Sequence, residues 1–163
     1  MPIYLFTQSE LQFLIAEVLV RFGNNVTAAK DAYETAVAAD FDLRGTDGAD
    51  DFWANDGSWD AAADKLHLIY MQKWVALFMR DHMEAWSEIR RTDVPALSAA
   101  SALQIKSDVS LYTPGDLIRP AQNKKGNDGL AMSMPYSSSS RKYNVNTPSK
   151  ARQITDKVFW DVK

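Results

Sequence analysis

The sequence predicts an all-α protein with helical hairpins in its first 95 residues and a long, largely irregular segment after them. In the first half, apolar residues recur at helical spacing, and capping residues and glycines mark the helix ends. In the second half this periodicity fades, and breakers punctuate the chain: Pro114, Pro120, Pro135, Pro148 and the run Ser137 to Ser140. We expect a helical part over residues 1–95 and an irregular segment over residues 96–163 that wraps over a larger body.

The first two helices are expected to form a hairpin. Thr7 and Glu10 have the spacing of a capping box, in which each side chain satisfies an unpaired amide of the first turn. Gly23 ends this helix, and one of the two asparagines after it begins a second helix that runs to about Arg44. The pair resembles a tetratricopeptide repeat, a helical hairpin of about 34 residues, although Gln12 stands where such a repeat usually has an aromatic residue.

Two more helices are expected after a loop rich in Asp and Gly, residues 45–58. The third helix should run from about Trp59 to Met79 and has apolar residues on two sides, which is typical of a largely buried helix. The fourth should run from about Arg80 to Arg91, with a proline beyond its end. Only one repeat-like hairpin is recognisable, whereas stacking needs about three. Either these other helices complete the core, or part of the protein is missing.

Composition and charge exclude several classes of function. The 163 residues include no cysteine, which excludes disulfides, thiolate metal sites and a cysteine nucleophile. The net charge of −3 provides no general attraction to nucleic acid or to an anionic membrane. No stretch reaches the roughly 20 apolar residues of a spanning helix. We expect a chain that is soluble as it stands and binds no nucleic acid and no cofactor.

Few residues suit catalysis or metal binding. The two histidines, His67 and His82, have no nucleophile context around them. The Asp-rich loop 47–60 has oxygen ligands of the kind calcium takes, but its aspartates lack the order of an EF-hand, so we expect a solvated loop without a metal. A carboxylate pair for glycoside hydrolysis stays open at this point, since such a pair is defined by its separation in space.

Four stretches of the chain resemble the C-terminal region of SusD/RagB-type proteins. The opening matches over residues 6–17, followed by Tyr33, Ala36 and Gly45, and the tail matches from Pro135 to Asp161. The most specific stretch is the central block, whose matching residues are Gln72, Lys73, Trp74, Ala76, Leu77, Glu84, Ala85, Trp86, Glu88, Arg90, Arg91, Thr92 and Pro95.

The resemblance implies a non-catalytic, helical glycan-binding protein for nutrient uptake. Proteins of this type are lipoproteins on the outer-membrane surface of Bacteroidetes, where they pass oligo- or polysaccharides to a TonB-dependent, SusC-like transporter. They are longer than this chain, which would be their C-terminal scaffold part, and membrane attachment would come only from an N-terminal lipid anchor that this chain lacks. The alternative is a free-standing helical-hairpin module that binds another protein.

Sugar sites favour exposed aromatic side chains flanked by amides and carboxylates. Trp53 lies in the Asp-rich loop outside any helical stripe, with Asp51, Asn55 and Asp56 near it, and Tyr112 is a second stacking candidate. The alternative is that Trp53 packs onto the helices. In the resembled family the main glycan contacts often come from the part of the protein that precedes this C-terminal region.

The central block is predicted to be structural rather than ligand-binding. Trp74 and Trp86 should fill the core, and Glu88 should pair with Arg91 one helical turn later. The residues predicted to form this structural motif are Gln72, Lys73, Trp74, Glu84, Trp86, Arg90 and Arg91.

Overall fold

Helices dominate the computed structural model of the chain, which describes residues 4–119, 130–150, 152–154 and 156–158. The described residues form mostly helices and only two short strands, which confirms the predicted all-α class. They divide into two compact units, residues 1–95 and 96–163. Pro120 and the end of the resembling tail, Trp160 and Asp161, lie outside the described residues.

The first unit is built from helices α1 to α5. Their bounds are Gln8–Val18 for α1, which continues as the π-helical turn Leu19–Gly23, Val26–Arg44 for α2, Ala49–Ala54 for α3, Lys65–Leu77 for α4 and His82–Thr92 for α5.

The ends of the first hairpin follow from local capping, as predicted. The Thr7 hydroxyl accepts the Glu10 amide at 3.2 Å, which is the first half of the expected capping box. The Asn25 side chain accepts the Ala28 amide at 3.1 Å and begins α2. Gly45, with φ of 68°, ends α2 in the left-handed conformation that a glycine adopts without strain.

Helix α4 is shorter than predicted because its cap lies inside the predicted range. The Asp64 carboxylate accepts the amides of Leu66 and His67 at 2.9 and 3.1 Å, so the helix begins at Lys65. The predicted start, Trp59, lies in the turn before it and is only 2% exposed.

The core of the first unit lies between α1, α2 and α4. Small residues on α2 let the helices approach closely, and three aromatic rings fill the centre. The ring centroids of Phe13 and Tyr33 are 6.1 Å apart, and those of Tyr33 and Trp59 are 5.6 Å apart. The buried core residues are Phe13, Ala16, Ala29, Ala32, Tyr33, Ala36, Val37, Trp59, Ile69 and Ala76.

Among its described residues, the second unit holds five short elements where the sequence predicted an irregular segment. Its elements are β1 (Leu97–Ser101), α6 (Ala102–Ser107), a 3₁₀ turn (Val109–Leu111), β2 (Leu117–Arg119) and α7 (Ser138–Tyr143).

Strands β1 and β2 pair in parallel, with Leu97 opposite Leu117. The serine run, read from the sequence as low complexity, begins α7, because the Ser137 hydroxyl accepts the Ser140 amide at 3.0 Å. The wrapping role of residues 96–163 stays a prediction.

Candidate functional site

An open depression of about 400 Å³ lies beside α3 in the first unit. We call it the Trp53 depression. It is lined by the end of α2, the turn after it and α3: Ala38, Phe41, Asp42, Thr46, Asp47, Gly48, Ala49, Asp50, Asp51 and Trp53. Four of these side chains are carboxylates and none is a lysine or an arginine, so the surface combines one indole ring with acceptors of hydrogen bonds.

Trp53 lies on helix α3, whereas the sequence placed it in a loop. Gly48, with φ of 96°, precedes the helix, and Asp50 in the first turn favourably faces its positive end. Phe52 packs against Phe41 of α2 with ring centroids 6.0 Å apart, which holds this short helix on the hairpin. The Trp53 ring is half-buried because it packs partly against the core. The prediction that Trp53 lies in a loop was therefore wrong, and its partial packing agrees with the alternative of a residue that packs onto the helices.

Gly57 explains how α3 fits so closely. A Cβ atom at this position would lie 2.1 Å from Cε1 of Phe52, so only glycine leaves room for the ring. The Gly57 carbonyl also accepts the Tyr33 hydroxyl at 2.8 Å, inside the core. The turn after α3 therefore sets the position of the neighbouring ring.

Of the five predicted sugar-contacting residues, Trp53 and Asp51 line the depression. Asn55 follows α3, and its amide donates to the Asp51 carbonyl at 2.8 Å, which helps to end the helix. Asp56 is exposed in the turn after the helix. Tyr112 belongs to the second unit, where its hydroxyl donates to the Asp116 carbonyl at 3.0 Å.

The sequence reasoning missed Phe41 and Thr46 as lining residues. Both come from the end of α2 and the turn after it, and they reach the depression only because the chain reverses before α3. The pattern of polar and apolar residues does not predict such a reversal, whereas the turn residues Gly45 and Gly48 indicate one.

The central block forms a network of paired charges between α1, α4 and α5. We call it the Glu17 network, after the carboxylate at its centre. Arg91 donates to both Glu17 oxygens, at 2.6 Å from Nη1 and 2.7 Å from Nη2, and the Tyr70 hydroxyl donates to the same carboxylate at 3.1 Å. Arg91 also holds Glu88 at 3.0 and 2.8 Å, which confirms the predicted pair.

Lys73 is the buried cation of this network. It is 1% exposed, and its ammonium lies 3.4 Å from Glu88 and 3.7 Å from Glu84. Burial alone would raise the pKa of Glu17, but the hydrogen bonds and the charge of Arg91 outweigh it and hold that pKa below its ordinary value. These groups are committed to one another, which suits a structural role.

The prediction that Trp86 fills the core was wrong. Its side chain is 37% exposed, because the buried face of α5 passes through Glu88 and Ile89 instead. The Arg90 guanidinium covers the ring, with its central carbon 4.2 Å from the ring centroid. Trp74 is partly buried.

The described ranges contain neither a metal-binding cluster nor a membrane-spanning helix. No group of three or more histidine, aspartate or glutamate side chains there is placed to hold a metal ion. No helix in the same ranges has the length and apolar character that crossing a membrane needs.

The first unit thus combines packed helices, a network of paired charges and an open aromatic and acidic surface. A family of sequences described as starch-binding and associating with the outer membrane, the SusD-like family, matches residues 1–112. The chain therefore belongs to the SusD-like family, which confirms the resemblance of its central block. No curated protein matched the chain.

Proposed function

We propose that this chain is the C-terminal scaffold part of a non-catalytic protein that binds oligo- or polysaccharides at the outer membrane. The observation that carries the proposal is Trp53 at an open depression rich in carboxylates, in a chain whose family is described as starch-binding. An indole ring offers an apolar face to the C–H groups of a sugar. Carboxylates such as Asp51 accept hydrogen bonds from the sugar hydroxyls.

Binding without cleavage fits the open form of this surface. A glycosidase sets the reacting bond between two carboxyl groups at a fixed separation and keeps one of them protonated by burying it. The Trp53 depression is open, and its aspartates Asp42, Asp47, Asp50 and Asp51 are exposed. The buried carboxylates of the Glu17 network are held by Arg91 and Lys73 instead. This contrast supports capture rather than hydrolysis.

The proposed partner is a TonB-dependent, SusC-like transporter, to which the longer, lipid-anchored protein would pass its glycan. The family's association with the outer membrane supports this assignment. Purification of the native protein from detergent-solubilised outer membranes tests it: we expect such a transporter to co-purify. Recovery of the native protein without one would count against the partnership.

Calorimetry against soluble polysaccharides, with an assay for released reducing sugar, tests binding and turnover together. We expect heat with at least one neutral glycan and no sugar release. Trp53→Ala should weaken binding at least about tenfold, which corresponds to about 1.4 kcal/mol. Trp86→Ala is the matched control, because this exposed ring lies outside the lining of the depression.

Circular dichroism of each variant establishes that it folds. Absence of heat with every glycan would refute the binding function, and released sugar would refute its non-catalytic character. If Trp53→Ala and Trp86→Ala lost glycan affinity equally, Trp53 would not be a residue of the binding site.

A second candidate function is protein binding, which an apolar stripe along α1 and the π-helical turn after it favours. The stripe residues are spaced by four, three and four positions, so they share one side of the helix. Their exposed fractions are 39% for Leu11, 38% for Ile15, 53% for Val18 and 78% for Phe22. Light scattering tests whether copies of the chain associate: we expect self-association that Ile15→Glu reduces, and a clean monomer at all concentrations would contradict it.

A further inference from the structure

A second concave surface adjoins the Trp53 depression. We call it the aromatic groove; it encloses about 290 Å³ between α2, α3 and α4. Its lining residues are Phe13, Val37, Asp40, Phe41, Arg44, Thr46, Phe52, Gln72 and Val75. Phe41 and Thr46 line both surfaces, so the groove and the depression are neighbours across one aromatic residue.

Aromatic rings form the apolar part of this groove. Phe41 and Phe52 are partly buried and pack against the core, with an interplanar angle of 40° between their rings. The close fit over Gly57 keeps Phe52 in place. Rings that are already fixed lose little conformational entropy when a ligand binds, so this surface is preorganised.

The charged residues of the groove neutralise each other. Arg44 Nε donates to Asp40 Oδ2 at 2.7 Å, and Arg44 Nη2 donates to the Val75 carbonyl at 2.8 Å. The lining itself therefore carries one positive and one negative charge and has no excess charge for a uronate, a sulfate or a cation. Asp40 Oδ1 also lies 3.7 Å from Nη2 of Arg80, which is outside the lining. Among the described residues nothing accepts a hydrogen bond from Arg44 Nη1, so this nitrogen is available to a sugar hydroxyl.

Gln72 supplies the second uncommitted polar group. Its side-chain amide makes no hydrogen bond within the part of the chain that the structure describes, although its neighbour Lys73 is buried and ion-paired. An amide both donates and accepts, so it can bond two neighbouring hydroxyls of one sugar ring. The fold therefore holds Lys73 inside and leaves Gln72 to the groove.

We propose that the aromatic groove is a second sugar subsite, which binds a neutral oligosaccharide continuous with the one in the Trp53 depression. Gln72 and Arg44 bond its hydroxyls, and Phe41 and Phe52 contact its ring faces. This inference rests on the proposed glycan-binding function and adds a second contact surface to it. A glycan that reaches both surfaces gains from their proximity, so a longer chain binds more tightly than a disaccharide.

Calorimetry with maltose and maltoheptaose tests the second subsite, since the family is described as starch-binding. If another neutral glycan is the one that gives heat, its disaccharide and its heptasaccharide replace these probes. The unaltered chain should bind the heptasaccharide at least about tenfold more tightly than the disaccharide. Gln72→Ala should remove most of this length advantage, because its hydrogen bonds belong to the second subsite.

Two further variants keep the result interpretable. Gln72→Met preserves the length and helix propensity of the side chain and removes only its hydrogen bonds, so it should behave as Gln72→Ala does. Gln8→Ala is the matched control, because Gln8 is an exposed glutamine on α1. It should bind both probes as the unaltered chain does.

The outcomes separate the groove from the general function. Heptasaccharide binding that survives both Gln72 variants would overturn the second subsite and leave glycan binding intact. No binding of any glycan by the unaltered chain would overturn both. If an anionic oligosaccharide, such as an alginate heptamer, bound more tightly than the neutral heptasaccharide, the proposal that the ligand is neutral would be wrong.

Discussion

The first unit carries two polar regions that use the same kinds of side chain in opposite ways. In the Glu17 network the carboxylates of Glu17 and Glu88 are buried and held by Arg91 and Lys73. Around the Trp53 depression the aspartates are exposed, and no lysine or arginine lines the surface with them.

The difference teaches that pairing, more than charge content, separates a structural cluster from a candidate site. A buried carboxylate is tolerated only when cations and hydrogen bonds compensate its lost hydration, and these partners then fix the helices around it. An exposed carboxylate without a partner costs the fold little and is free to bond a ligand. Substitutions in the two regions should therefore affect different measurements.

Breaking the Glu17 network should have the largest effect on stability. Arg91→Ala leaves the buried Glu17 and Glu88 carboxylates without their shared guanidinium, so we expect a loss near the lower end of the range for such pairs, about 3 kcal/mol. Urea denaturation measures it. Arg21→Ala is the control, because Arg21 is an exposed partner of the same carboxylate and should cost less than about 1 kcal/mol. Equal costs for the two variants would contradict the network.

A methyl group at Gly57 should have the next largest effect. Gly57→Ala drives a Cβ atom into the Phe52 ring, so we expect a loss of about 1–3 kcal/mol. Since Phe52 also lines the aromatic groove, heptasaccharide affinity should fall with it. Gly23→Ala is the control: its Cβ atom would meet the Leu19 side chain at 3.3 Å, and stability should stay within about 1 kcal/mol. An unchanged Gly57→Ala protein would show that α3 is not held by this fit.

Acid should act in opposite directions on two glutamates of α1. The pKa of Glu17 lies below its ordinary value, so its stabilising contribution is present above the unfolded-state pKa and is lost as the pH falls through the folded-state pKa. Burial raises the pKa of Glu10, so ionisation of Glu10 opposes folding as the pH rises.

Both effects can be measured as changes in the thermal unfolding midpoint between about pH 3 and about pH 7, where the two carboxyl groups gain or lose their protons. Glu10→Gln should raise the unfolding midpoint at neutral pH. Glu17→Gln should lower it there and flatten its fall toward acid. If the unfolding midpoint of Glu17→Gln fell toward acid as steeply as that of the unaltered chain, another group would be responsible for the pH dependence.

The smallest effect on stability is expected at the depression. Asp51→Asn removes one exposed charge, and we expect the free energy of unfolding to stay within about 0.5 kcal/mol of the unaltered value. Its glycan affinity should nevertheless fall, as calorimetry can measure. Asp31→Asn, on the exposed side of α2, should change neither quantity. A large loss of stability in Asp51→Asn would mean that the depression is structural.

Features set by neighbouring residues were predictable from the sequence. The caps at Thr7, Asn25 and Gly45 act within one turn, and all three mark helix ends in the structure.

The start of α4 was placed too early because apolar residues continue through the preceding turn and hide the cap at Asp64. Trp53 was placed in a loop because a helix as short as α3 shows no period.

Features that depend on distant parts of the chain were not predictable. Arg91 and Glu17 meet across 74 positions, so no local pattern links them, although the i,i+3 pair of Arg91 with Glu88 could be read directly. The pairing of β1 with β2 was missed for the same reason. Trp53 and Asp51 were predicted for the candidate site, whereas Phe41 required the fold.

Two-dimensional NMR of the ¹⁵N-labelled chain, titrated with the glycan that gives heat, tests whether the glycan binds at the Trp53 depression and leaves the Glu17 network unchanged. We expect shifts of the Trp53 indole N–H and of backbone amides over residues 41–53, while the amides of Glu88 and Arg91 keep their positions. Shifts confined to the Glu17 network, or to residues away from both concave surfaces, would contradict it.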